Sequence, residues 1–147
     1  VFQKHRVPDS WCWLEESTKN DIQLIEPHDK TKEPVLVIAL STKAILDRIA
    51  DRFGDTVSLW SITCNEPGND MMRCHGLLKQ FNQVARMAMD AIKTAHSKAD
   101  CLKIFMAAPS SCAVELGRIR MPKADLPWIL YDYWVDKDED IETITIK

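Results

Sequence analysis

Apolar and polar positions are unevenly distributed along the chain, and their spacing changes from segment to segment. Val35, Leu36, Val37, Ile38, Ala39 and Leu40 form an unbroken apolar run, rich in β-branched residues. A run with no polar alternation predicts a strand buried on both faces, as in a parallel sheet. Ser41, Thr42 and Lys43 interrupt it. Ala44, Ile45, Ile49 and Phe53 then recur at helical spacing, with Gly54 placed to end that helix. Residues 56–63 read as a second strand. The turn cluster Asn65, Glu66, Pro67, Gly68, Asn69 and Asp70 leads into a long helix over about 71–95. There Leu77, Phe81, Val84, Ala85, Ala88, Ile92 and Ala95 make one apolar stripe, and Asn69 or Asp70 is placed to cap its start.

The alternation continues. Residues 101–107 predict a third strand, and Pro109, Ser110 and Ser111 open a short helix running to Leu116 and ended by Gly117. Residues 128–133 predict a fourth strand. The acidic stretch 136–142 reads as solvated, and 143–146 as an added edge strand. Residues 1–33 read as irregular: loops at Val7-Pro8, at Pro27 and over 29–33, a short strand at 22–25, and Trp11 and Trp13 alternating as on an edge strand. The predicted fold is α/β, a Rossmann-like layer with a mainly parallel central sheet and helices on both faces. Residues 34–147 form this layer, and 1–33 form a lead-in or the end of a preceding half-domain.

Composition narrows the function. The chain has 147 residues, 46% hydrophobic and 28% charged, enough to bury a core. A net charge of -3 argues against gripping long nucleic acid through its backbone, while leaving room for a small anionic ligand in a local pocket. The five cysteines, Cys12, Cys64, Cys74, Cys101 and Cys112, are odd in number and irregularly spaced, which fits a reducing, cytoplasmic compartment. Cys101 and Cys112 read as small core residues. No apolar run approaches the length of a membrane span, so no membrane contact is expected. Starting at Val1, the chain reads as a fragment whose fused partner lies elsewhere.

In a sheet of this kind ligands bind beyond the carboxyl ends of the strands. Three loops are predicted there, carrying Ser41, Thr42 and Lys43; Asn65, Glu66 and Asn69; and Pro109, Ser110 and Ser111. Two lead directly into helix N-termini, where unpaired N–H groups and a partial positive charge favour phosphate. The serines fit either helix capping or ligand binding. Arg118, Arg120 and Lys123 form a local basic cluster that fits either phosphate neutralisation or, for Arg118, the dipole of the helix end. Trp60 reads as core. Among Trp128, Tyr131, Tyr133 and Trp134, packing is favoured over base stacking. Cys74, His75 and Cys64 match no standard metal spacing, so no metal is expected. Glu66, Asp70 and Glu115 read as capping or solvated residues, and no catalytic motif or residue is assigned.

Residues 105–118, FMAAPSSCAVELGR, together with the PWILYD segment at 127–132, resemble the signature of SAVED domains. These carry a hydrophobic strand, an A-x-P turn at Ala107-Ala108-Pro109, a small-residue helix and a closing L-G-R. The resemblance spans about residues 34–134 and corresponds to the later of the family's two Rossmann-like halves. It implies a sensor similar to the CARF sensors of CRISPR systems, fused to an effector in bacterial anti-phage systems of the CBASS type. The implied ligand is a cyclic di-, tri- or tetranucleotide; the implied response is homo-oligomerisation and effector activation. On this reading Ser41, Thr42, Lys43, Asn65, Glu66, Asn69, Pro109, Ser110, Ser111 and Arg118 hold the ligand, with no cofactor. The competing readings are a CRISPR-associated cyclic oligoadenylate sensor, a nucleotide-hydrolysing Rossmann-like enzyme, and a scaffold that only oligomerises.

Overall fold

The computed structural model describes His5, residues 9–14 and residues 20–147. The expected loop at Val7-Pro8 lies outside the described residues. The elements in chain order are β1 (Ile22–Ile25), β2 (Glu33–Ala39), α1 (Ala44–Phe53), β3 (Val57–Cys64), α2 (His75–Ala95), β4 (Leu102–Ala107), α3 (Ser110–Ile119), β5 (Trp128–Trp134) and β6 (Glu139–Ile146). They build one sheet of order β1-β3-β2-β4-β5-β6. The four inner strands are parallel, and the edges β1 and β6 are antiparallel to their neighbours.

The unbroken apolar run of β2 has a direct structural cause. Leu36, Ile38 and Leu40 face a core shared with α2 and α3, built on Phe81, Ala85, Ile92, Cys112 and Leu116. Val35, Val37 and Ala39 face the opposite way, toward Ile45 and Ile49 of α1. Alternate side chains on a strand point to opposite faces, so both sets must be apolar when helices cover both. Trp60 is fully buried, and its indole N–H donates to His96 Nε2 at 3.0 Å.

Several local expectations are corrected. The long helix starts at His75, not near residue 71. Met71 and Met72 are buried in an irregular segment where the Arg73 N–H donates to the Met71 carbonyl at 3.0 Å, and the Leu14 N–H donates to the Arg73 carbonyl at 2.9 Å. Cys74 therefore occupies the N-cap position, and neither Asn69 nor Asp70 caps the helix. Gly117 does not end α3. It lacks the positive φ of a helix-ending glycine, which Gly54 has at 50°, and the helix continues to Ile119, whose carbonyl accepts from Arg86 Nη1 at 3.0 Å. The acidic stretch is not wholly solvated either: from Glu139 it is part of β6, and Asp140 is buried. Trp11 and Trp13 lie in a bend and an irregular stretch rather than a strand, with Trp13 packed on His75 at 4.6 Å between ring centroids.

The antiparallel edge β6 is held by charge as well as by its ladder. Arg48 of α1 donates to both Asp140 oxygens, at 2.8 Å from Nη2 and 3.3 Å from Nε. Arg52 adds bonds to the Asp140 carboxylate and carbonyl at 3.3 and 3.2 Å.

Candidate functional site

The order β3-β2-β4 creates a reversal in the middle of the sheet. The chain leaves β2 through α1 on one face, and leaves β4 through α3 on the other. At such a switch point the two exit loops diverge, and a crevice opens above the strand ends. Here those exits are residues 40–43 and 108–110, two of the three loops singled out by sequence.

Backbone hydrogen bonds tie the three loops together. The N–H groups of Leu40 and Ser41 both donate to the Ala107 carbonyl, at 2.9 and 2.8 Å. The Gly68 N–H donates to the Leu40 carbonyl at 3.0 Å, which brings the 65–70 loop onto the end of β2. Asn20, buried and outside the sequence-derived set, clamps that loop from beneath: its Nδ2 donates to the Glu66 carbonyl at 2.9 Å and its Oδ1 accepts the Glu66 N–H at 3.0 Å. A lone polar residue in an irregular lead-in gives no periodic signal, so nothing in the sequence distinguished it.

The serines do not act as caps. Lys43 is the N-cap of α1 and Pro109 that of α3, and neither helix has a side-chain cap hydrogen bond. Thr42 Oγ1 accepts the Ala44 N–H at 3.2 Å, while Ser41 is half-buried and Ser110 exposed on the first turn of α3. Ser111 is fully buried beside Cys112, whose thiol burial pushes up to about 12. Asn65, Glu66 and Asn69 are exposed on the central loop, and Pro109 is buried at the turn.

Arg118 is not brought to this edge. It lies in the last turn of α3, roughly 12 Å along the helix from Ser110 at about 1.5 Å per residue, with Glu115 Oε2 at 3.4 Å from its Nη1. Arg120 lies at the opposite end of the sheet. Its guanidinium covers the Trp128 ring at 5.4 Å and donates to the Ile146 carbonyl at 3.3 Å, where β5 begins. The basic cluster of the sequence is therefore dispersed. Glu66, Asp70 and Glu115 do not form an acid/base pair: Asp70 accepts from His5 at 3.1 Å and Glu115 from Asn82 at 2.6 Å. Among the described residues no group of three or more histidine, cysteine or acidic side chains is arranged to hold a metal ion.

The structure adds a cavity that the sequence did not reveal. It lies on the α1 face, at the ends of β4 and β5, with a volume of about 210 Å³. Phe105 and Tyr131 stack beneath it, 4.6 Å between centroids and 16° between planes. Thr42, Ala44, Arg48, Asp132, Tyr133 and Asp140 wall it. The Arg48 guanidinium lies 3.9 Å from the centroid of the Tyr133 ring. Among the described residues only α1 covers this face. Of the other aromatics near the last strand, Trp128 is core and Trp134 is exposed at the end of β5, with Lys137 Nζ 4.1 Å from its ring centroid.

A mostly parallel sheet with helices on both faces and three loops meeting at its switch point defines a Rossmann-like layer. The family model for SAVED, the SMODS-associated and fused to various effectors sensor domain, matches residues 1–146, and the chain belongs to this family. No curated protein matches it. Among solved structures it is similar to the Cap4 SAVED/CARF-domain containing receptor of Acinetobacter baumannii. With the cyclic trinucleotide 2'3'3'-cAAA, that receptor matches at a TM-score of 0.61 and 23% identity, over 90% of this chain and 28% of that one. With 3'3'3'-cAAA it matches at 0.61 and 20%, again over 90% and 28%. A third Cap4 receptor structure matches at 0.58 and 21%, over 84% of this chain and 26% of that one. At these identities the likeness is one of fold. The chain spans about 28% of the length of the receptor. No helix among the described residues is long and apolar enough to cross a membrane.

Proposed function

We propose that this chain is a sensor module that binds a cyclic oligonucleotide over the carboxyl edge of its sheet and passes that binding to a fused or associated effector. The observation that carries the reading is the switch point. The Ser41, Asn65–Asp70 and Pro109 loops meet there through the Ala107 and Leu40 carbonyls. Two of them deliver helix N-termini, whose first-turn amides favour phosphate. Thr42 and Ser110 add hydroxyls and Lys43 a cation. Pro109 shapes the turn, Asn65, Glu66 and Asn69 offer polar groups to the bases, and buried Ser111 supports the turn from within. Arg118 lies outside this set. SAVED membership supports the ligand class, as does the fold shared with receptors solved with cyclic triadenylates.

The wider role is anti-phage defence of the CBASS type. A ligand drives such a switch only by binding the assembled state more tightly than the free one. Ligand-induced homo-oligomerisation is that assembled state here. Calorimetry of the chain with 2'3'3'-cAAA, 3'3'3'-cAAA and cyclic dinucleotides tests binding, and light scattering with and without the tightest of them tests assembly. Saturable binding to one ring and a rise in mass are expected. Binding to none overturns the sensor reading; binding without a change in mass overturns the oligomerisation.

A further inference from the structure

We infer that Asn20 is a positioning residue for the ligand: buried itself, it holds the 65–70 loop in the form that a cyclic oligonucleotide meets. The inference rests on the sensor reading above and adds to it a residue outside the three loops. The register of the sheet edge shows how the clamp works. β1 and β3 run antiparallel, pairing Ile25 with Ser61 through to Ile22 with Cys64. The ladder stops there, and the same register continued past it sets Asn20 opposite Glu66. In an antiparallel ladder a hydrogen-bonded pair exchanges two bonds, one N–H to carbonyl in each direction. Asn20 makes that exchange with its side chain. Its Nδ2 donates to the Glu66 carbonyl at 2.9 Å, and its Oδ1 accepts the Glu66 N–H at 3.0 Å. A carboxamide carries both a donor and an acceptor, as a peptide group does, so it extends the ladder after both strands have ended.

Both bonds fall on the loop backbone, which leaves the side chains of Asn65, Glu66 and Asn69 exposed, whereas Asn20 is only 7% exposed. The far half of the loop has other anchors. The Gly68 N–H donates to the Leu40 carbonyl, His5 bonds to Asp70, and the Leu14 N–H donates to the Arg73 carbonyl. Asn65 and Glu66 lie between the last pair of the β1–β3 ladder and Gly68, and Asn20 fixes their direction. Without the clamp this half of the loop samples other conformers, and only the clamped fraction is competent to bind. Apparent affinity falls by that fraction. The contacts made by the bound ligand stay the same, so the loss falls on the association rate and not on the dissociation rate.

The test uses the full chain. Calorimetry with 2'3'3'-cAAA, 3'3'3'-cAAA and cyclic dinucleotides identifies the ring bound most tightly, and stopped-flow kinetics with that ring compares the parent with Asn20→Ala and Asn20→Gln. Thermal melting checks that each variant is folded at the working temperature. The association rate constant should fall about tenfold on Asn20→Ala, with the dissociation rate constant unchanged. Asn20→Gln keeps a carboxamide and should recover part of the rate; it carries the test if Asn20→Ala does not fold. Amide hydrogen exchange without ligand gives a local readout. The Glu66 amide should exchange faster in Asn20→Ala than in the parent, while the Ile62 amide within β3 keeps its protection. A merely structural role would lower Tm and leave both rate constants as they were. An unchanged association rate in Asn20→Ala, or a raised dissociation rate in its place, overturns the positioning role and leaves the sensor reading standing. A parent chain that binds none of the rings removes the sensor reading itself.

Discussion

The Ser41 N–H donates to the Ala107 carbonyl at 2.8 Å, joining two residues that are 66 positions apart. Each residue sits where its strand gives way to a helix, and the two helices depart to opposite faces of the sheet. One backbone hydrogen bond therefore fixes the spacing between two helix N-termini. A ligand that bridges them meets a preformed geometry and has little loop ordering to offset.

Charge reversal on these loops should act on affinity rather than on folding. Lys43 and Ser110 are exposed and neither side chain forms a cap bond. The combined Lys43→Glu and Ser110→Asp variant should weaken binding of a cyclic triadenylate at least tenfold, about 1.4 kcal/mol. Its Tm should stay close to that of the parent. Calorimetry and thermal melting measure the two quantities, and unchanged affinity would take the phosphates away from these turns.

Acidification should weaken the fold through His96. Burial pulls its pKa below the usual value near 6.5, outweighing a hydrogen bond with the Lys32 backbone, while Lys30 pulls it the same way. The unfolded chain then binds a proton in a range where the folded one does not, so stability rises with pH there. The loss begins as pH falls below about 6.5 and stops growing once the folded-state pKa is passed. His96→Gln keeps an acceptor for the Trp60 N–H and should flatten urea-measured stability as pH falls below about 6.5. A slope that survives this substitution would point to another group.

A second buried charge pair should show strong, non-additive coupling. Asp125 is almost fully buried, bonded to Arg86 and to the Met121 N–H at 2.7 Å. Burial pushes its carboxyl up, but Arg86 and the Met121 amide outweigh that and leave it below its ordinary value. Arg86→Met strands this carboxylate and should cost about 3–5 kcal/mol. Arg86→Met with Asp125→Asn should cost clearly less, because no uncompensated charge is left. Urea denaturation of the two singles and the double measures this.

Thiol labelling should sort the cysteines by burial. Cys12 is exposed, Cys101 half-buried, and Cys64, Cys74 and Cys112 are buried. Burial also raises the Cys64, Cys101 and Cys112 thiols, which lowers their thiolate fractions. In native protein near pH 8 one thiol should react quickly with an aromatic disulfide reagent, and denaturant should release all five. Fast native reaction of Cys112 would contradict its placement on the buried face of α3.

The sequence by itself determined the parallel core, the two short helices that follow β2 and β4, and the three loops at the strand ends. Those features rest on local periodicity: β2 is apolar at every position because helices cover both its faces, and Gly54 ends α1 through its own backbone freedom. Tertiary structure decided what local patterns do not encode. Met71 and Met72 fall where the sequence starts a helix yet lie in an irregular, turning segment, which Leu14 ties down by bonding to Arg73 across more than fifty residues. Asp140 sits in an acidic run that looks solvated, and only the approach of Arg48 and Arg52, some ninety residues away, makes it a buried anchor. Arg118 and Arg120 are neighbours in sequence, but the end of α3 sends them to different partners. The cavity over Tyr131 exists where, among the described residues, one helix covers that face of the sheet, a consequence of strand order that no single segment carries.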